Sequence, residues 1–147
     1  MIFITKKFNE LTTHELYDII QLRSEVFVVE QNCVYQDLDD KDKLAYHILG
    51  ILNNQIIAYA RIFNSGDYFS EPSIGRIVVK NEFRKHKYGY QLVLNSIQFI
   101  ENNFKKSNIQ ISAQSYLKGF YGKHGFVAKG EEYLEDGIPH TAMYIEK

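Results

Sequence analysis

The chain reads as an α+β domain built on a mixed, mostly antiparallel sheet flanked by helices. Two observations predict this. Strand-like and helix-like stretches follow one another in the order β-α-β-β-β-α-β-α-β-β. A long antiparallel section then leads into a strand–helix–strand crossover, the connection that sets two strands parallel and adjacent. The length of 147 residues corresponds to one domain, residues 1–147, with enough chain for one core.

Residues 2–8 begin with the β-prone run Ile2, Phe3, Ile4 and form the first strand. Thr12 and Glu15 stand at capping-box spacing and open a helix with Leu16, Ile19, Ile20, Arg23 and Phe27 on one stripe. Residues 30–43 turn polar. The charged run 37–42 lacks the glycine and closing Glu of a calcium loop, which excludes an EF-hand. Ala45–Leu52 and Gln55–Phe63 flank Asn53-Asn54 as a hairpin. Asn64–Pro72 is a loop and Ser73–Val79 a β-branched strand. Tyr88–Phe104 is a helix with Leu92, Val93, Ser96, Ile97, Ile100 and Phe104 on one face. Ile109–Ala113 is a short strand, and Tyr116–His124 a short helix ended by Gly125. Phe126–Tyr133 and His140–Ile145 are the last strands, with a turn at Asp136-Gly137.

Composition narrows the function. Lys and Arg total 17 against 18 Asp and Glu, a net charge of −1, so no basic field attracts nucleic acid or an anionic membrane. No apolar run reaches the ~20 residues of a membrane span. At the N-terminus the basic residues follow the apolar stretch, the reverse of a signal peptide, so a cytoplasmic location is expected. Cys33 is the single cysteine. It forms no intrachain disulfide and reads as a buried or half-buried structural thiol. No metal is expected, since His14, His86 and His124 have no ligand-like spacing and no HExxH occurs.

The sharpest local feature is the strand-to-helix passage from Ile77, Val78 and Val79 through Arg84, Lys85, His86 and Lys87 to Tyr88, Gly89 and Tyr90. The first N–H groups of a helix have no internal partner and attract anions, and a diphosphate fits them. The alternative is a solvated basic loop with an incidental glycine. The Walker and GxGxxG patterns are both absent. A second feature is Phe120-Tyr121 four residues before Gly125-Phe126, which reads either as a cleft tyrosine or as a core aromatic.

Read together, Arg84-x-x-Lys87-x-Gly89 after a β-branched strand and Phe120-Tyr121-x-x-x-Gly125-Phe126 resemble the acyl-CoA signature and closing motif of the GCN5-related N-acetyltransferases (GNAT). The element order agrees across the whole chain. More narrowly, 22–33, 35–37, 47–50, 58–62 and 136–140 resemble the ElaA group. Lys87 stands where the family has its first glycine, Gln114 where many members have Asn, and Leu117 where Ala is common.

The resemblance implies acetyl-CoA as co-substrate, held by the phosphate passage, by backbone of Ile77 and Val79 between two splayed strands, and by Gln114 at the cofactor mouth. It implies direct attack by an amine, with a backbone N–H polarising the thioester carbonyl and no protein nucleophile. Tyr121 falls at the family's general-acid position. Glu30 and His47 are candidate bases, read otherwise as a solvated helix-end residue and a satisfied strand histidine. Phe27, Gln31, Arg61, Arg76 and His140 are candidate acceptor-side residues. Buried Arg61 and Arg76 have two readings: binding an acceptor anion, or pairing with Glu30, Asp37 or Asp39. His140 has the alternative of a surface strand residue. The leading reading is acetylation of a small-molecule amine. A protein or peptide amine, a non-catalytic acyl-CoA-binding module and a generic phosphate-binding domain are its rivals. Homodimers are common in the family.

Overall fold

Thr12 opens the first helix through a reciprocal cap. In the computed structural model, which describes residues 1–147, its hydroxyl accepts from the Glu15 N–H at 3.0 Å while the Glu15 carboxylate accepts from the Thr12 N–H at 2.9 Å. Lys6, on strand β1 (Ile2–Lys7), donates to the same carboxylate. Helix α1 runs Thr13–Arg23 and buries Ile19, Leu22 and Arg23. Beyond it, Ser24–Glu30 widens to π spacing, and the Gln31 N–H donates to the Val26 carbonyl five residues back. That extra residue per turn shifts the stripe. Val26 is buried, and Phe27, expected on the same face as Arg23, is only half-buried.

The hairpin strands β2 (Tyr46–Leu52) and β3 (Gln55–Phe63) meet at Asn53 and Asn54, whose φ values of 51° and 63° suit a type I′ turn. Strand β4 (Ser73–Val79), helix α2 (Tyr88–Phe104) and strand β5 (Ile109–Gln114) form the crossover. The expected helix at 116–124 divides into a 3₁₀ turn, Ser115–Leu117, and α3 (Lys118–Gly122). The expected single strand at 126–133 also divides, into β6 (Val127–Ala128) and β7 (Tyr133–Glu135). Gly130, at φ +83°, takes the chain out of extended geometry between them. Both pair with β8 (Ile138–Ile145).

The sheet order is β1-β2-β3-β4-β5-β8-β6, with β7 also on β8. Helix α1 covers one face, where Ile19, Leu22 and Val26 pack on Leu49, Tyr59 and Val78. Helices α2 and α3 cover the other, where Leu92, Val93, Ile97 and Ile100 pack on Ala58, Ala60, Ile62 and Ile111.

Only β4 and β5 run parallel, and they pair at one position, Ser73 opposite Gln110. The cause of their divergence lies on the other edge of β4. Tyr59 pairs with Val78 and Arg61 with Gly75, so Ala60 faces both Arg76 and Ile77. Arg76 sits at φ 49°, the left-handed conformation of a bulge, and the bulge bends β4 away from β5. The edge of β4 beyond Ser73 is left without a strand partner.

A buried ionic cluster lies under this bend. Arg23 and Arg61 are each 1% exposed. Arg23 donates to Asp37 and Asp42, both at 2.8 Å. Arg61 donates to both oxygens of Asp39, at 2.8 and 2.7 Å, and to Asp42 at 2.9 Å. Arg76 donates to the Asp37 carboxylate at 2.7 Å and to its carbonyl at 3.0 Å. The polar stretch after α1 is thereby fastened to α1, β3 and β4.

Asp42 accepts from two buried guanidiniums through one oxygen, so Asp42→Ala should cost about 3–5 kcal/mol of folding stability, the usual loss for half of a buried pair. A urea titration checks this, and a loss below ~1 kcal/mol would show that the arginines find other partners. Burial alone would raise the Asp39 and Asp42 carboxyls, but Arg61 at Asp39, and Arg23 and Arg61 at Asp42, hold both below the ordinary carboxylate range. Groups depressed in the folded state stabilise it above the unfolded pKa of about 3.9 and cease to do so as pH falls toward the folded values. The urea midpoint should therefore drop steeply below about pH 4, and Asp42→Ala should flatten that drop.

Candidate functional site

The passage from β4 to α2 forms an uncapped helix entrance. Lys85 and Lys87 both take left-handed conformations, at φ 73° and 62°. No side chain caps α2, and Gln91 is the first residue in it to close a backbone bond, to the Lys87 carbonyl at 3.1 Å. The preceding N–H groups are thus free for an anion. A non-glycine residue in this region costs of order 1–3 kcal/mol, and Lys87 adopts it where the resemblance noted above leads to the expectation of glycine. His86 does not reach the site. Between two left-handed residues its exposed ring packs beside Tyr88 at 5.5 Å, and it lines no part of the cavity described next. A Cβ at Gly89 would meet Phe120 at 3.6 Å and Val79 at 3.7 Å, so internal packing alone does not demand glycine there.

A cavity of about 970 Å³ opens from this entrance and passes between β4 and β5. Ile77, Val78 and Val79 supply its β4 wall, Lys85, Lys87, Tyr88, Gly89 and Tyr90 its entrance, and Gln114 and Tyr121 the opposite side. Tyr121 is buried, with its ring edge-on to Phe120 at 5.1 Å. Burial, and secondarily Tyr116, pushes its hydroxyl upward, so it holds its proton throughout the neutral range. Gln114 and Gln31 pair their amides reciprocally, at 3.1 and 3.4 Å, across the cleft.

Arg84 lines the cavity, but its guanidinium is engaged. It donates to the Val79 carbonyl at 3.0 Å and to the two Glu30 oxygens at 2.7 and 3.1 Å. Glu30 also lines the cavity, with both carboxylate oxygens committed to this pair. His47 is a correction. It is 1% exposed and lines no part of the cavity, its Nδ1 bonded to the Tyr59 hydroxyl at 2.6 Å and its Nε2 to the Asp42 carbonyl at 2.8 Å. Burial lowers its pKa, and the α1 side of the sheet seals it from solvent. Arg61 is a second correction, since Asp39 and Asp42 neutralise it in the buried cluster. Arg76 borders the cavity at 20% side-chain exposure, yet its head group is held by Asp37. Both therefore follow the pairing alternative, though not with Glu30.

Phe27 and Gln31 line the same wall, and so does His140. His140 is buried on β8, and its Nδ1–H donates to the Ile138 carbonyl at 2.7 Å. Its Nε2 lies 3.3 Å from Glu135. Glu135, Tyr35 and Tyr68 are cavity residues that the sequence did not single out. Tyr35 and Tyr68 stand in loops and Glu135 ends the short strand β7, places where an acidic or aromatic residue is unremarkable until the sheet closes around it. Cys33 is half-buried at the cavity wall and bonds the Asp136 carbonyl at 3.3 Å. No group of three His, Cys, Asp or Glu residues is arranged to hold a metal ion, and no helix is long and apolar enough to cross a membrane.

A splayed parallel pair, an uncapped helix entrance and a through-sheet cavity define an acyl-CoA transferase fold, and comparison with known proteins agrees. Residues 10–147 match the family model of the acetyltransferase (GNAT) domain, and the chain belongs to that family. Within it the chain is ElaA-like. It is 42% identical to Protein ElaA of Escherichia coli over 140 residues, covering 94% of this chain and 92% of that one. It is 40% identical over 146 residues to a UPF0039 protein of Schizosaccharomyces pombe, covering 98% and 96%. The crystal structure of an acyl-CoA N-acyltransferase from Pseudomonas aeruginosa superposes with a TM-score of 0.93 at 37% identity, covering 99% of this chain and 100% of that one. That of Escherichia coli ElaA superposes with a TM-score of 0.92 at 38% identity, with the same coverage.

Proposed function

We propose that this chain transfers the acetyl group of acetyl-CoA to the primary amine of a small molecule. One observation carries the reading: the uncapped start of α2, the unpaired edge of β4 and buried Tyr121 all open onto one cavity. Its volume of about 970 Å³ lies within the range of small-molecule pockets.

The residues divide the work. The free N–H groups at the α2 entrance, with Lys85 and Lys87 beside them, suit the diphosphate of the co-substrate. The Arg84–Glu30 pair ties this loop to the end of the π-helical turn and occupies both Glu30 oxygens at the surface. Backbone groups on the unpaired edge of β4, around Ile77 and Val79, suit the amide-rich pantetheine arm as an added strand would. An N–H there can stabilise the oxygen of the thioester carbonyl as it gains charge. Tyr121 enters protonated and can give its proton to the departing thiolate; because a thiol has an ordinary pKa near 8.5 and burial raises that of Tyr121, the transfer is uphill by itself and is completed when the attacking nitrogen returns a proton to the same hydroxyl.

Acetyl-CoA at 100 times its dissociation constant should add about 2.7 kcal/mol of stability. For a domain of this size that raises the melting temperature by roughly 5–11 °C. Neither ATP nor NAD should reproduce the shift, and an equal shift with ATP would reduce the site to a generic phosphate cradle. Tyr121→Phe should keep the acetyl-CoA shift while lowering turnover at least about tenfold. Unchanged turnover would remove Tyr121 as the acid, and a chain that binds acetyl-CoA but acetylates no amine would be a binding module.

A further inference from the structure

Glu30 is occupied and His47 is sealed, so the amine arriving as an ammonium ion still needs a group to take its proton. The cavity wall opposite the helix entrance holds one pair suited to this. His140 bonds the Ile138 carbonyl through Nδ1 at 2.7 Å. A carbonyl only accepts, so Nδ1 carries the hydrogen and Nε2 presents the ring's free lone pair. Nε2 faces the Glu135 carboxylate at 3.3 Å, and both residues line the cavity. With Nε2 protonated, the two close as an ion pair. With Nε2 free, they stand as two acceptors side by side, the arrangement an ammonium with several N–H donors fills.

The rest of the surroundings fit this role. The His140 ring stacks on Tyr133 of β7 at 6.1 Å, which fixes its plane. Tyr133 in turn bonds Ser112 of β5, whose hydroxyl lies 3.5 Å from the second Glu135 oxygen. Gln114 of β5 stands opposite His140 in the ladder and carries no charge. From the loop between β3 and β4, Tyr68 feels the Glu135 charge, and burial together with that charge keeps its hydroxyl protonated. Asp136, in the turn beside Glu135, adds negative charge to the wall. The arginines on this side, Arg61 and Arg76, are held by Asp39, Asp42 and Asp37 and so do not oppose a cation. Tyr35, Tyr68 and Phe69 line the cavity as well, each half-buried, and set aromatic side chains beside the body of the amine, while Phe63 lies buried under Tyr68.

We infer that Glu135 and His140 receive the acceptor as a primary ammonium on an aromatic or similarly flat apolar body, and that His140 Nε2 takes its first proton. This rests on the acetyltransferase reading above. The proton balance closes. The ammonium gives one proton to Nε2, and the neutral amine nitrogen bonds the thioester carbon. The C–S bond breaks, and Tyr121 protonates the thiolate. The nitrogen's second proton restores the Tyr121 hydroxyl, and Nε2 releases its proton to water. The sum is ammonium plus thioester giving amide, thiol and one proton.

The test uses the full chain, acetyl-CoA and two nucleophiles, with thiol release measured at pH 7. Phenethylamine is an ammonium at pH 7, whereas phenylhydrazine is already neutral. Wild type should acetylate phenethylamine. His140→Gln should lose at least about tenfold on phenethylamine at pH 7, within the usual 10²–10⁴ range of a general base or just below it. It should stay within about threefold of wild type on phenylhydrazine and keep its acetyl-CoA melting shift. Glu135→Gln should raise the KM for phenethylamine at least about tenfold and leave that for phenylhydrazine within about threefold, because the carboxylate that receives the ammonium is gone. If His140→Gln does not fold, this KM split decides alone. Equal losses on both nucleophiles, no loss, or an unchanged phenethylamine KM in Glu135→Gln would each overturn the inference. So would a wild-type chain that binds acetyl-CoA and leaves phenethylamine untouched. A wild-type chain with no acetyl-CoA shift would instead overturn the acetyltransferase reading itself.

Discussion

Three arginines and three aspartates, buried together on the α1 side of the sheet, are the constraint on which the rest of the molecule depends. Arg23 comes from α1, Arg61 from β3 and Arg76 from β4, while Asp37, Asp39 and Asp42 come from the single stretch after the π-helical turn. Removing such charges from water costs several kcal/mol per ion, and only close, hydrogen-bonded geometry offsets that. The cluster therefore contributes little net stability but much uniqueness. Any other path for residues 37–42 would leave a buried charge unpaired.

What the cluster fixes is the shape of the cavity. Arg76 is at once the bulge residue of β4 and the partner of Asp37, so the bend that parts β4 from β5 and the loop that roofs the parting are tied by one side chain. Glu30 and Gln31, at the end of the π-helical turn, reach across to Arg84 and Gln114. The helix entrance, the cleft and the far wall of the cavity are thereby held in register by side chains from separate segments. Preorganisation of this kind suits a transferase, whose work is to align two substrates.

The same cluster redistributes the candidate roles. Arginines within apolar strands could serve an acceptor anion or an internal partner, and the internal partners take them. Neutralising Arg61 and Arg76 leaves their end of the cavity with the carboxylate of Glu135, which faces His140, and with Asp136 beside it. Glu30 loses its candidacy as base by the parallel route of pairing with Arg84. These outcomes come from competition between partners, which depends on distances in the folded chain.

Much of this was legible beforehand in particular residues. The capping box at Thr12, the Asn53-Asn54 turn, the strand at 73–79 and the helix at 88–104 follow from local rules of hydrogen bonding and periodicity, and they stand where those rules put them. The uncapped helix entrance at 84–89 was legible too, because its shape is set by consecutive residues. The split of 126–133 at Gly130, the π spacing after Arg23 and the sealing of His47 were not. Nor was the pairing of Glu135 with His140, which requires β7 to fold back on β8. Local sequence determines where the backbone satisfies its own hydrogen bonds. Which charge meets which, and which histidine faces a cavity, depends on residues far apart in the chain, and only the closed sheet brings them within the few ångströms at which charges choose their partners.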